Sequence, residues 1–389
     1  METDAGLQIS KSRDNNIELL RIIAMLMIVA HHYMWHGGAL KQCATYSIDW
    51  FFAWTVEALS VVAVNCYVLI SSYFLVNSGF KLKKLLRLWI QVLFYSLGAY
   101  FFLIAIGLEQ LGAKKIITSS FPLLTNRYWF ITVYVALYIF SPFLNILIHA
   151  LSKKQMQNLV MILFALFCVW PTILPVQVSL DYTNGYSIIQ FVFLYFIGAY
   201  LRLHWNHEIK KIYYIGTHVF IIVIMVASKT VLSSLGFDNI SFGSKSVSYC
   251  FFEYNSLTVV LSSVLLFLFF RGMTLKSTLL NKMTRSIPAL TLGVYLIHDH
   301  PYVRPVLYSK FLQTYLFWNS PVFIPVAIGS ILGVFIVCLC IDAVRKKIFT
   351  VLENTKLLCL INKSISLSAA KISNFIYRKI AVSLNSIEK

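Results

Sequence analysis

Long apolar runs alternate along the chain with short polar segments, many of them basic, and the runs set the architecture. Ten runs approach or exceed the roughly 20 residues that a helix needs to cross a hydrocarbon core. They cover 17–36, 50–76, 84–107, 128–149, 157–177, 187–203, 212–234, 249–270, 288–308 and 320–343. The pattern predicts an all-α integral membrane protein of about ten transmembrane helices. The first run follows about twenty mostly polar residues and carries no small-residue cleavage signal, so it is expected to persist as a first helix.

Charge adds orientation. With both termini placed on the cytoplasmic side, 25 of the 33 Lys and Arg residues fall on inner segments and 8 on outer ones, the bias expected of a multi-pass protein. Composition agrees: of 389 residues, 59% are hydrophobic and only 12% are charged, far from the balance of a soluble domain. A net charge of +18 would suit nucleic acid, but the basic residues sit in clusters between apolar runs and are read as topology. The seven cysteines show neither metal-ligand spacing nor a secreted disulfide pattern; Cys338 and Cys340 are expected to be packing residues of the last span. Residues 1–343 form one membrane domain, and 344–389 a basic cytoplasmic tail. Within the tail, AAKISNFIYRKIAVSL repeats Ile372, Phe375, Ile376 and Ile380 at helical spacing, which suits an amphipathic helix on anionic headgroups; a frayed tail is the alternative.

The first span holds the least expected residues. ELLRIIAMLMIVAHHYMWHGG (18–38) places Glu18, Arg21, His31 and His32 in an apolar helix, where titratable groups are costly and normally face protein or a wet cavity. Eleven helical residues turn about 20° beyond three full turns and rise about 16 Å, so Arg21 and His32 share a face. Glu18 precedes Arg21 by about one turn on that side, whereas His31 lies about 80° away. His32 is the imidazole this geometry nominates. The plainer readings are a packing histidine at His32 and an arginine snorkelling to headgroups at Arg21.

These residues carry a family resemblance. IELLRIIAMLMIVAHH is similar to the first helix of the integral-membrane acyltransferases of family three, whose signature is an acidic residue three before an Arg, then ten residues and a His. NCYVLISSYFL (65–75) resembles the second helix of that family, with Ser72 where Gly is usual, and KLKKLLR (81–87) resembles its basic run. RYWFITVYVALYIFSPFLN (127–145), FVFLYFIGAYLR (191–202) and TLGVYLIHDHP (291–301) resemble later helices in order. The resemblance implies transfer of an acyl group, usually acetyl, from cytoplasmic acetyl-CoA to a sugar hydroxyl of an exported polysaccharide or lipid-linked glycan, in a bacterial plasma membrane. It carries the roles of the family's Arg and His to Arg21 and His32. Tyr134 stands where peptidoglycan- and O-antigen-modifying relatives often have Glu, so the pattern is closer to compact relatives acting on capsule, exopolysaccharide or common-antigen sugars.

The chemistry is consistent with that implication. A sugar hydroxyl is a poor nucleophile toward a thioester, and an imidazole can accept its proton as it attacks, so His32 is the expected base. Direct transfer and an acyl-histidine intermediate both need that imidazole. Arg21, Lys84 and Arg87 at the inner mouth suit the phosphates of coenzyme A, although Lys84 and Arg87 also fit ordinary inner-side charge. Glu57 and His298 fall at depths related to His32; Glu57 is the expected acidic partner that orients its ring. Trp129 and Tyr295 are expected to touch substrate, Asn65 and Tyr73 are weaker choices, and His300 and Arg304 read as a solvated outer loop. The sequence offers no metal site, nucleotide-binding glycine loop or serine elbow. A transporter or flippase of sugars or lipid-linked glycans is the main alternative, and a noncatalytic assembly subunit a third.

Overall fold

The computed structural model describes residues 14–174, 183–207, 209–242 and 245–353. The tail stretch AAKISNFIYRKIAVSL lies outside them. The chain opens with α1 (Asn15–His36), a short α2 (Ala39–Gln42), α3 (Ile48–Ser60), α4 (Ala63–Leu75) and α5 (Leu82–Ala105). After α6 (Ala113–Ser120) come α7 (Trp129–Ala150) and α8 (Lys153–Phe164), the latter continued by a π turn into α9 (Trp170–Ile173). Then follow α10 (Ile188–Leu203), α11 (Lys211–Ser234), α12 (Leu257–Arg271), α13 (Thr278–Ser286), α14 (Thr291–His298), α15 (Val303–Val306) and α16 (Phe323–Glu353). A two-residue antiparallel pair, Ser241–Phe242 with Lys245–Ser246, lies between α11 and α12. Serine side chains satisfy open backbone N–H groups at several helix starts: Ser47, Ser152, Ser187, Ser256 and Ser277 cap α3, α8, α10, α12 and α13.

Among the described residues, seven helices are long and apolar enough to cross a membrane, with α3 and α4 counted as one broken span. Two shorter apolar helices, α10 and α12, accompany them. Apart from the break of 50–76 between α3 and α4, the predicted spans and the helices agree closely except at three places. The run 249–270 becomes helical only at Leu257, because Ser256 caps there and the preceding residues are turns. The run 288–308 is not one helix: it breaks after His298, where Pro301 denies the chain a donor. The last helix does not stop at 343 but runs to Glu353, past Arg345, which grips the buried carboxylate of Asp342 through Nε at 2.7 Å and Nη2 at 2.9 Å.

At the centre of the bundle, α1 packs against α3, α4, α12, α13, α14 and α16. That placement explains how a membrane helix tolerates ionisable groups: most of its circumference faces protein. Apolar side chains of the outer helices, including Phe102, Phe140, Phe220 and Val337, remain exposed, as contact with lipid requires. Lys229 of α11 is buried instead: its Nζ lies 2.8 Å from Ser248 Oγ and 2.5 Å from Asp238 Oδ1, between the rings of Trp54 and Tyr249. It fastens the segment after α11 to α3.

Two glycines permit close helix approach. A Cβ on Gly293 would fall 2.1 Å from Asp342 Oδ1, so the bare backbone lets α14 sit against α16. On α10, a Cβ at Gly198 would meet Ser72 Oγ at 1.8 Å and the Leu69 carbonyl oxygen at 3.0 Å. Gly198→Val is expected to force α10 from α4 and cost about 1–3 kcal/mol, as overpacking does. The thermal midpoint in detergent should fall, and Ser72→Gly should restore part of it; equal midpoints with and without the second change would show that the two positions do not couple.

Candidate functional site

A cavity of about 350 Å³ runs along α1. Its walls come from α1, α4, α5, α7 and α14, with Tyr254 from the turns before α12. Arg21, His32, Lys84, Trp129 and Tyr295 all line it. Arg87 is exposed on α5 and is not among its lining residues. Glu57 and His298 stand one layer back, each behind an imidazole that does line it.

At the Arg21 end, Nη1 of Arg21 lies 2.9 Å and 2.7 Å from the two carboxylate oxygens of buried Glu18. The Tyr67 hydroxyl donates to the Arg21 carbonyl at 2.9 Å and ties α4 to α1 there. Lys84 enters from the first turn of α5. The Glu18 pair orients the guanidinium while leaving other N–H groups for an anion, since guanidinium carries five.

At the other end the two histidines have different partners. Nδ1 of His298 lies 2.6 Å from the Val294 carbonyl oxygen, which only accepts, so Nδ1 carries the hydrogen. In the neutral ring Nε2 is then a lone pair, and it accepts from Nδ1 of His32 at 2.9 Å. The chain of contacts assigns the His32 tautomer: Nδ1 is protonated and Nε2 is left as a base. His298 thus takes the orienting position expected of Glu57. The Glu57 carboxylate instead sits 2.9 Å from Nδ1 of His31 with each of its oxygens. His31, which the helical offset had set aside, lines the same cavity, and its ring centroid is 5.4 Å from that of His32.

Beyond His32 lies a second polar layer. Asp299 Oδ1 is 3.0 Å from Arg304 Nη1, 3.7 Å from His32 Nδ1 and 3.9 Å from His36 Nε2. His32, His36 and Asp299 bring ligand atoms within 4.8 Å of one another, as a metal site would require. The Arg304 guanidinium, also 3.5 Å from His36 Nε2, already supplies a positive charge there. His300 is not a solvated loop residue: it is fully buried, with Nε2 3.2 Å from the Ser96 carbonyl and Nδ1 accepting from Tyr302 N–H. The break at Pro301 folds this segment inward, and protein, rather than lipid, surrounds its irregular backbone.

Aromatic rings make one wall. Trp129 stacks on Tyr254 at 5.7 Å and packs against Tyr186 at 4.5 Å, while the Tyr295 ring lies 6.4 Å from His32. Asn65 and Gln190 both donate to the Tyr254 carbonyl, at 2.8 and 3.0 Å, so Asn65 braces this wall without lining the cavity. Tyr73 lies away from the cavity, under the guanidinium of Arg202. Tyr254 fell inside the predicted run 249–270 and Tyr186 just before 187–203, and neither carried a signal beyond an aromatic ring among apolar residues.

A family model described as an acyltransferase domain matches residues 14–342. No curated protein and no solved structure matches the chain.

Proposed function

The chain belongs to acyltransferase family three, and from that premise we propose that it is a membrane O-acetyltransferase, moving acetyl from cytoplasmic acetyl-CoA to a sugar hydroxyl of a surface polysaccharide or lipid-linked glycan. The observation that carries this reading is the continuity of one cavity from Arg21 and Lys84 to His31 and His32. Along α1 the separation is about 16 Å, which suits the pantetheine arm of a donor whose phosphates stay at the basic mouth. We place the mouth on the cytoplasmic side, as the Lys and Arg distribution supports, and the enzyme in a bacterial plasma membrane, as the resemblance implies.

In this reading the donor's phosphates meet Arg21 and Lys84, and its thioester reaches the imidazoles. The sugar enters against Trp129 and Tyr295. Nε2 of His32 takes the proton of the acceptor hydroxyl as its oxygen attacks the thioester carbon. The C–S bond then breaks, and the proton passes to the departing thiolate.

Membrane vesicles of both orientations test the sidedness. Labelled acetyl-CoA given to inverted vesicles, whose cytoplasmic face is outside, is expected to yield base-labile label on glycan, at least about tenfold above sealed right-side-out vesicles. Equal labelling would overturn the inner placement of Arg21 and Lys84. Absence of label from both, with purified acceptor glycans present, would overturn acetyl transfer.

A further inference from the structure

His31 and His32 are adjacent in sequence and face one cavity, yet the groups behind them differ in charge. Behind His32 stands His298, a neutral ring locked by the Val294 carbonyl. The nearest carboxylate to His32, Asp299, is 3.7 Å away and is already paired with Arg304. Behind His31 stands Glu57, with both oxygens 2.9 Å from Nδ1 and only 4% of the residue exposed. A carboxylate at that position balances a positive ring, so Glu57 suits a His31 that carries hydrogens on both nitrogens. Its Nε2 takes no partner among the described residues.

We propose that His31, charged against Glu57, donates from Nε2 to the oxyanion that forms on the thioester carbonyl, so that the two neighbouring imidazoles act as oxyanion donor and base on one carbon. This rests on the acyl-transfer reading above. With ring centroids 5.4 Å apart, one reacting carbonyl lies within reach of both rings. As the acceptor oxygen bonds to the carbonyl carbon, the C=O electron pair moves onto oxygen. The Nε2–H of His31 meets that charge without transferring its proton. When the carbonyl re-forms, the electron pair returns and the C–S bond breaks; His31 ends as it began, and the single proton that His32 took from the hydroxyl passes to the departing thiolate. Glu57 is a positioning residue: it fixes the ring and balances its charge. Such a fixed donor, aimed where charge develops, is the kind that contributes most to acyl transfer.

The alternative is a structural pair that only joins α1 to α3. A donor whose carbonyl oxygen is replaced by sulfur separates the two, because a developing thiolate is a poor acceptor of hydrogen bonds. The readout is the ratio of transfer rates from acetyl-CoA and from its dithioester analogue, measured within each purified variant and therefore independent of how much protein folds. His31→Leu is expected to lower kcat by about 10²–10³ with KM for acetyl-CoA little changed, the size of a lost oxyanion donor. The oxygen-to-sulfur ratio should fall at least about tenfold. His31→Gln, whose amide still donates, should recover part of both, and Glu57→Gln should give an intermediate loss in the same ratio. A ratio unchanged in His31→Leu, whatever the loss of rate, overturns the assignment while acyl transfer by the wild type stands. A wild type that transfers from neither donor overturns the acyl-transfer reading and this assignment together.

Discussion

Replacing His32 by alanine is expected to lower acetyl transfer by about 10²–10⁴, the range for a lost general base. The effect should appear in kcat, because the proposed phosphate contacts at Arg21 lie about 16 Å away along α1 and do not involve His32. The structure makes the expectation more specific than loss of a histidine. The tautomer of His32 depends on His298, and that of His298 on the Val294 carbonyl. His298→Phe, which keeps a ring but removes the acceptor, should therefore cost much of the same activity with His32 intact. Stopped assays of thiol release with acetyl counted on the glycan check both. Near-normal kcat in His298→Phe would show that the orienting contact is not used.

Loss of Arg21 should act on the other end of the donor. Removing a charge-assisted contact costs about 1.5–3 kcal/mol, so Arg21→Gln is expected to raise KM for acetyl-CoA by about 10- to 150-fold with kcat changed much less. Arg21 also balances Glu18, which is 7% exposed and would be left as a buried unpaired carboxylate. The double variant Glu18→Gln/Arg21→Gln removes that penalty and should show the same KM. The decisive comparison uses S-acetylpantetheine, which keeps the thioester arm and lacks the nucleotide phosphates. Wild type and Arg21→Gln should use it alike. A KM that rises equally for both donors would mean that Arg21 supports the fold of the cavity rather than phosphate.

Much of this arrangement was legible in the residues because membranes allow few solutions. Apolar length located most helices to within a few residues, and the eleven-residue step placed Arg21 and His32 on one cavity. The failures have a common physical origin. A helical wheel gives the angle between two side chains but not how much of the helix faces protein. Since α1 is central, an offset of about 80° left His31 still inside, beside Glu57. The same limit misplaced Glu57: depth along α3 was readable, but not which of two adjacent rings it meets. Periodicity also says nothing of turns, so Tyr254, Tyr186 and the inward fold of Asp299 and His300 at Pro301 had no signal beyond isolated polar or aromatic residues in apolar runs. The extension of α16 was hidden because Arg345 looked like the start of a basic tail, whereas its pairing with Asp342 belongs to the helix.

The central claim is that one donor lies along α1 with its thioester at the paired imidazoles, and an affinity label tests it most directly. Bromoacetyl-CoA carries an electrophilic carbon where the acetyl methyl would be, and peptide mapping by mass spectrometry finds what it alkylates. The expected adduct is on the peptide bearing His31 and His32, suppressed by coenzyme A and absent from that position in His32→Ala. An adduct elsewhere on the chain, or one at His32 that coenzyme A does not block, would contradict it.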